Sequence, residues 1–155
     1  MKRSTISKAT PDQFSSMAAL FEAQIGEHGI NTSVDALVAV LRMVNDQPEY
    51  GFVLTATYDG SIVSVAYATS LLSLEHGGWS GWLEELYVLL EWRGNGLGSC
   101  LLDAVIAGAI ERGWIALDLE VDIAHQRVVS LYASRDFQQV SRIRFVRRLR
   151  NEANA

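Results

Sequence analysis

Hydrophobic residues near the N-terminus recur with the period of helices. After a short stretch at 4–8 that predicts a first strand, apolar residues return every three or four positions over 14–25 and 37–44. This period predicts two amphipathic helices. Thr10-Pro11 is a typical start for the first, because threonine can cap a helix and proline suits its first position. Thr32 and Asp35 mark the start of the second.

The middle of the chain changes to the pattern of β-strands. Phe52–Tyr58 and Ile62–Leu72 are rich in β-branched and aromatic residues, and Asp59-Gly60 between them is a strong hairpin signal. A glycine-rich loop then leads into a third strand at Trp82–Leu89. The pattern therefore predicts a three-stranded antiparallel meander.

The C-terminal half alternates helix and strand again. Residues 97–112 are apolar on nearly every side, which predicts a helix buried against more than one layer, with Cys100 in core packing. Further elements are expected as a strand within 115–121, a short helix at His125–Ser134, and strands near Phe137–Val140 and at Ile143–Leu149. Together the elements indicate an α+β fold with a mixed, mostly antiparallel sheet flanked by helices.

Composition narrows the class of protein. The chain has 155 residues, 49% of them hydrophobic and 20% charged, which predicts one globular domain over residues 1–155. The net charge of −5 disfavours a nucleic-acid or anionic-membrane partner. A single cysteine, no signal-like N-terminal run and no membrane-length apolar run predict a soluble, cytoplasmic protein. Five arginines between 142 and 150 are expected on the solvated face of an edge strand rather than as a nucleic-acid patch.

The most informative segment is a glycine loop between a strand and a helix. Gly94, Gly96 and Gly98 let a backbone approach a ligand closely, and the helix that follows offers free N–H groups and a partial positive charge. Arg93 adds a fixed charge, so the loop is a candidate phosphate cradle. It lacks the Gly-Lys-Ser/Thr of a Walker A motif. A dinucleotide fingerprint fits poorly, because Ser99 stands where the third glycine belongs and too little chain follows.

The loop also carries a family resemblance. Arg93-x-x-Gly96-x-Gly98, preceded by a strand containing Glu84-Glu85-Leu86-Tyr87-Val88, resembles the signature of the GNAT family of N-acetyltransferases, and the element order matches over about residues 4–149. The resemblance implies the GNAT (acyl-CoA N-acyltransferase) fold, with acetyl-CoA as cosubstrate. It implies a pantetheine arm beside Leu86, Tyr87 and Val88, and a pyrophosphate on Arg93, Gly94, Asn95, Gly96, Leu97, Gly98 and Ser99.

Acetylation of an amine calls for a base, because a lysine-like amine is almost entirely protonated at pH 7. Glu84 and Glu85 are neighbours on a strand and should point to opposite faces unless a bulge re-aims them. Resemblance to the polyamine-acetylating branch implies Glu84 as the base, with Glu85 second. If neither serves, both are simply solvated or ion-paired.

A second resemblance concerns the thiolate of coenzyme A, which leaves in the reaction and must be protonated. The run from His125 to Tyr132 resembles the family's Asn-x-x-Ala-x-x-Leu-Tyr helix, which implies Tyr132 as the general acid. His125 stands where the family has an asparagine that contacts the cofactor arm. It either hydrogen-bonds similarly or caps the helix.

The resulting hypothesis is an N-acetyltransferase that moves an acetyl group from acetyl-CoA to a primary amine by direct attack in a ternary complex. The acceptor is a small molecule such as a polyamine, amino acid or aminoglycoside, or a protein amine. The alternative is a catalytically silent, CoA-binding sensor of the same fold. We expect no metal site, because the three histidines lie far apart in the chain, and a homodimer is possible by analogy. His28, between the first two helices, is expected in a solvated loop or beside the acceptor.

Overall fold

The structure is a computed structural model that describes residues 4–149. Its strands are β1 (Thr5–Lys8), β2 (Gly51–Tyr58), β3 (Ser61–Ser73), β4 (Gly78–Val88) and β5 (Leu117–Leu119). Its α-helices are α1 (Phe14–Glu27), α2 (Val34–Asp46), α3 (Leu97–Glu111) and α4 (Val129–Ala133). Short 3-10 turns lie at Pro11–Gln13, Pro48–Tyr50, Leu90–Trp92 and Ile123–Val128.

The strands form one mixed sheet in the order β1-β2-β3-β4-β5. The first four pair antiparallel, and β5 pairs parallel to β4 after the crossover through α3. The predicted meander and α+β class are thus confirmed. The β2–β3 turn has Asp59 at φ 48° and Gly60 at φ 78°. Two positive φ values match the right-handed twist of a tight hairpin, as Asp-Gly predicts.

Capping residues fix where the first two helices begin. The backbone N–H of Thr10 donates to Oε1 of Gln13 at 3.0 Å, as a capping box requires. At α2, Oγ of Ser33 accepts from the backbone N–H of Ala36 at 3.2 Å. The N-cap is therefore Ser33, and the start signal assigned to Thr32 was one residue early.

Helices cover both faces of the sheet. On one face, Met17, Phe21 and Leu41 of α1 and α2 pack in one core with Val53 and Val65 of the sheet. On the other face, Leu97 of α3 packs with three sheet residues, namely Ala56, Val63 and Val88. Since strand side chains alternate, β4 turns Tyr87 towards α1 and Val88 towards α3.

Helix α3 is buried on one side rather than all round. Leu97, Leu101, Leu102, Val105 and Ala109 are its buried residues. Cys100 is exposed, and Ile110 is 70% exposed. The expectation of Cys100 in the core was therefore wrong. Leu101 and Val105 repeat at helical spacing towards the sheet, whereas Cys100 is turned about 100° away from Leu101.

The C-terminal strand predictions were also wrong. Residues 137–149 are described but form no strand, because no described residue provides a hydrogen-bonded ladder for them. Arg142, Arg144, Arg147 and Arg148 are exposed there, and Arg150 lies outside the described residues. Strand β5 covers three of the seven residues expected. The expected helix at His125–Ser134 is a 3-10 turn that is non-helical at His125, followed by α4.

The chain divides into two compact units, with the boundary after Asp122. The first contains the whole sheet and α1–α3, and the second contains α4. A single domain over 1–155 stays a prediction. Among residues 4–149, no helix is long and apolar enough to cross a membrane.

Two glycines allow aromatic rings to pack against the sheet and α3. A Cβ on Gly81 of β4 would overlap the Trp114 ring and approach Leu117 Cδ1 at 3.0 Å. A Cβ on Gly108 of α3 would lie 2.9 Å from Cζ of Phe52. Phe52 and Trp114 also contact each other, with ring centroids 5.5 Å apart. The α3–β5 connection is therefore held against β4 by ring packing that a side chain at Gly81 would prevent.

We predict that Gly81→Ala destabilises the fold by about 1–3 kcal/mol, because the added methyl overpacks the Trp114 contact. The midpoint of thermal unfolding should fall by about 4–10 °C, measured by circular dichroism. Gly26→Ala is the matched control. Its Cβ would meet no atom within 4 Å, so its midpoint should stay or rise. Equal midpoints for the two variants would contradict the packing argument.

Candidate active site

A β-bulge separates the two adjacent glutamates of β4. Tyr67 of β3 pairs with Glu85, whereas the next residue, Ala68, pairs with Leu83. Glu84 lies between these two register pairs as the bulged residue and is exposed to solvent. Glu85 is half-buried and, by alternation from Tyr87, lies on the face that α1 covers. The bulge foreseen as an exception in the sequence is present.

Glu85 is electrostatically unusual. The pKa of its carboxyl is raised from an ordinary 4.5 to about 7. Burial is the largest cause, the nearby Glu84 charge acts in the same direction, and His28 acts against both. Burial and, to a smaller extent, Glu84 also raise the pKa of the Tyr67 phenol opposite. A carboxyl that titrates near neutral pH is suited to take a proton and release it again.

Strand β4 parts from β5 just before the bulge. Their pairing ends at Leu83↔Leu119, so Glu85–Val88 has no neighbouring strand on that side among residues 4–149. The backbone N–H of Leu89 donates to Val63 on β3 at 3.0 Å. Because backbone groups alternate along a strand, those of Val88 and Leu86 point away from β3, into the gap. The gap is therefore lined by a strand edge that pairs with no strand among residues 4–149.

Side chains donate hydrogen bonds to the two backbone carbonyls, of Leu86 and Val88, that face this gap. The Leu86 carbonyl accepts from Nε2 of Gln24 on α1 at 3.4 Å. The Val88 carbonyl accepts from Nε of Arg93 at 2.8 Å, and the Arg93 guanidinium lies 5.3 Å from the Tyr87 ring centroid. Arg93, predicted as a phosphate contact, thus ties the glycine loop to the end of β4.

The glycine loop presents open backbone at the start of α3. Gly94 and Gly96 both have φ of 78°, a conformation that favours glycine, and a Cβ on either would meet no atom within 4 Å. The first helical hydrogen bond of α3 runs from the Cys100 N–H to the Gly96 carbonyl at 3.0 Å. The N–H groups of Leu97, Gly98 and Ser99 precede it and have no acceptor within the helix. Asn95 Nδ2 donates to the Arg93 carbonyl at 3.2 Å, closing the turn.

Gln24 and Asp122 were not singled out from the sequence, whereas His28 was expected in a solvated loop or beside the acceptor. Gln24 contacts Leu86 from 62 positions away, and its Oε1 is buried with no hydrogen-bond partner among the described residues. Nδ1 of His28 lies 3.0 Å from Oδ2 of Asp122, 94 positions away. Only the packing of α1 across β4 and past β5 creates these contacts, so no local motif could have indicated them.

Tyr132 and His125 belong to the second unit. Tyr132 lies on α4, half-buried, with its ring edge-on to Phe137 at 5.8 Å between centroids. His125 lies in the 3-10 turn before it, at φ −114° and ψ 29°. The roles implied for both residues remain predictions.

Comparison with known proteins identifies the family. A model of the acetyltransferase (GNAT) family matches residues 17–137. The chain belongs to the GNAT family. A relative from Archaeoglobus fulgidus, described as an uncharacterized N-acetyltransferase, is 34% identical over 88 residues. That match covers 56% of this chain and 60% of the relative, so the chain aligns with less than two thirds of the relative's length.

Solved structures similar to this GNAT chain confirm the fold class. An integron cassette protein from the mobile metagenome of Cole Harbour Salt Marsh gives a TM-score of 0.81 at 22% identity, covering 94% of this chain and 91% of that one. The aminoglycoside N-acetyltransferase AAC(6')-Iy, solved with CoA, gives 0.80 at 18% identity, covering 95% of each chain. A predicted acetyltransferase from Clostridium acetobutylicum, solved with acetyl-CoA, gives 0.78 at 17% identity, covering 94% and 96%.

We predict that Glu85→Gln changes how stability depends on pH. Folding raises the Glu85 pKa, so between pH 4.5 and 7 the folded protein holds this proton more tightly than the unfolded chain. The stabilisation that Glu85 gains from this proton is complete below pH 4.5 and is lost as pH rises through 7. Relative to wild type, Glu85→Gln should therefore gain about 1–2 kcal/mol between pH 5 and pH 8, after a discount for its partial exposure.

Urea unfolding at both pH values measures this gain. Glu84→Gln is the matched control, since Glu84 is exposed. It should show a smaller change, because removing its charge lowers the Glu85 pKa. A pH dependence of Glu85→Gln identical to that of wild type would refute the burial argument.

Proposed function

We propose that this chain transfers an acetyl group from acetyl-CoA to a primary amine. The observation that carries the proposal is the gap between β4 and β5, which opens directly before a glycine loop at a helix N-terminus. A gap beside unpaired strand edge suits an extended amide-bearing chain, which can pair like a further strand. Free N–H groups at the start of α3 suit a pyrophosphate. An acyl-CoA carries both an amide-bearing arm and a pyrophosphate in one molecule.

The donor binds through backbone groups in this proposal. The open approach to Gly94 and Gly96 leaves room for phosphate oxygens, and the N–H groups of Gly98 and Ser99 point along the helix axis towards them. The Val88 N–H faces the gap and donates to the thioester carbonyl oxygen. Such a donor stabilises the negative charge that this oxygen gains when the amine attacks.

Glu85, rather than Glu84, is the base in this proposal. Its half-buried carboxyl has a pKa of about 7, so near neutral pH it is ionised in part and accepts a proton from the acceptor ammonium. The free amine then attacks the thioester carbonyl carbon, and the C–S bond breaks as the N–C bond is retained. An N–C bond has then formed in place of the C–S bond, the second proton of the nitrogen passes to solvent, and the thiolate takes a proton from a donor that solvent reprotonates, giving an amide and a free thiol. Tyr132 is the proposed proton donor to sulfur.

The acceptor in this proposal is a cationic amine. Glu84, Glu85 and Asp122 give the α1 side of the gap a surplus of negative charge over His28. The GNAT neighbour solved with CoA is an aminoglycoside N-acetyltransferase, whose substrates carry amines. Aminoglycosides and polyamines are therefore the acceptors to test first.

We predict that Ser99→Glu weakens acetyl-CoA binding at least tenfold, as measured by isothermal titration calorimetry. Ser99 is the third residue of α3, where a glutamate suits the helix dipole and should not destabilise the fold. The same carboxylate would repel the pyrophosphate. Ser99→Gln, equal in size but neutral, is the control and should bind within about threefold of wild type. Equal affinity in all three proteins would place the pyrophosphate elsewhere, and no binding by wild type would refute the function.

We predict that Glu85→Gln and Tyr132→Phe each lower kcat for a polyamine or aminoglycoside acceptor by about 10²-fold, as expected for a lost acid or base. Thiol release measures the rate. Glu84→Gln, the neighbouring isostere, should stay within about threefold, since Glu84 is solvent-exposed and is not the proposed base. A large loss in Glu84→Gln with none in Glu85→Gln would reverse the assignment. Binding of acetyl-CoA without turnover of any amine would favour the silent CoA-binding module.

A further inference from the structure

Helix α1 brings a histidine to the acid–base site. His28 directly follows α1, and its backbone N–H donates to the Ile25 carbonyl at 3.1 Å, which fixes it to the helix end. Gln24 lies one turn earlier, on the same face of the helix. Since Gln24 contacts the Leu86 carbonyl, this face of α1 lies over β4 at Glu85 and Leu86.

Asp122 orients the imidazole of His28. Its Oδ2 lies 3.0 Å from Nδ1, a distance that suits an Nδ1–H donor, so the contact fixes the direction of the ring. The His28 side chain is 29% exposed. The contact joins the end of α1 to the chain just beyond β5, across the gap.

The ionisable groups around Glu85 come from four parts of the fold. Glu84 adjoins it on β4, Tyr67 pairs with it on β3, and His28 ends α1, where it is paired with Asp122 from the chain after β5. Of these groups, His28 alone can carry a positive charge. It also lowers the pKa of Glu85, against burial and Glu84.

We propose that His28, held by Asp122, is a positioning residue for Glu85: its imidazolium charge favours the carboxylate form, which can accept a proton from the acceptor amine. The role in turnover rests on the proposed acetyltransferase function, whereas the electrostatic coupling between the two side chains does not. The coupling raises the fraction of Glu85 that is competent as a base on the acid side of neutrality.

The test measures Glu85 directly. In protein labelled with ¹³C at the glutamate carboxyls, the Glu85 resonance is assigned with Glu85→Gln and its titration is followed in wild type and His28→Gln. We expect the midpoint to rise by about 0.5 pH unit in His28→Gln, the size of one charge acting over several ångströms in a mostly aqueous setting. His28→Lys, which keeps a positive charge, should restore a midpoint at or below that of wild type.

The chain offers a matched control in His76. Its Nε2 lies 2.7 Å from Oδ2 of Asp118, and its side chain is 27% exposed, so the pair resembles His28–Asp122 in geometry and exposure. His76 follows β3, and Asp118 is beside Trp82, ahead of the bulge. His76→Gln should leave the Glu85 midpoint unchanged. An unchanged midpoint in His28→Gln, or an equal shift in His76→Gln, would overturn the inference.

A kinetic measurement tests the role in turnover. The acid limb of the kcat/KM profile should move in His28→Gln by the same amount as the Glu85 midpoint, while the plateau at high pH stays within about twofold of wild type, because Glu85 is then ionised in both proteins. A loss of rate equal at all pH values would mean a merely structural role. If no amine is acetylated although the Glu85 midpoint moves, the proposed function fails together with the role of His28 in turnover.

Discussion

The separation of β4 from β5 is the constraint on which the rest of this structure depends. A parallel neighbour would normally satisfy the backbone groups of Leu86 and Val88, and a buried carbonyl left without a partner is costly. Here the side chains of Gln24 and Arg93 donate hydrogen bonds to the two carbonyls in place of a neighbouring strand, so the strands can stay apart. Helix α1 and the glycine loop are thus both tied to the open edge of β4.

The bulge at Glu84 gives two adjacent glutamates different properties. Without it, the pairing of Tyr67 and Ala68 would run in register and the residues of β4 beyond it would exchange faces. With it, Glu84 remains in solvent, whereas Glu85 lies against α1 in a setting that raises the pKa of its carboxyl to about 7. One inserted residue therefore distinguishes a solvated charge from a group that titrates near neutral pH.

The paired half of β4 is as closely packed as the other half is open. Gly81 admits the ring of Trp114, and the Arg112 guanidinium lies 5.0 Å from the Phe52 ring and 5.9 Å from that of Trp114. Arg112 Nη1 also donates to the Pro48 carbonyl at 2.6 Å, which joins the end of α3 to the start of β2. This packing holds the α3–β5 connection against β4 at Gly81, where the two strands are paired.

The sequence by itself determined the local elements and the glycine loop. Helical period, the Asp59-Gly60 turn and the spacing Arg93-x-x-Gly96-x-Gly98 are signals within short windows, and short windows govern helix starts, hairpins and positive φ values. Sequence-based prediction failed where the outcome depends on a packing or pairing partner. Residues 137–149 have strand-like alternation but no hydrogen-bonded ladder among the described residues, and Cys100 is apolar yet turned away from the sheet. Only the tertiary structure decided which glutamate is buried, that Arg93 binds the end of β4, and that His28 meets Asp122. The burial of Glu85 and the His28–Asp122 pair depend on contacts between residues far apart in the chain, which no local pattern encodes, whereas the Arg93 contact depends on how the glycine loop folds back onto β4.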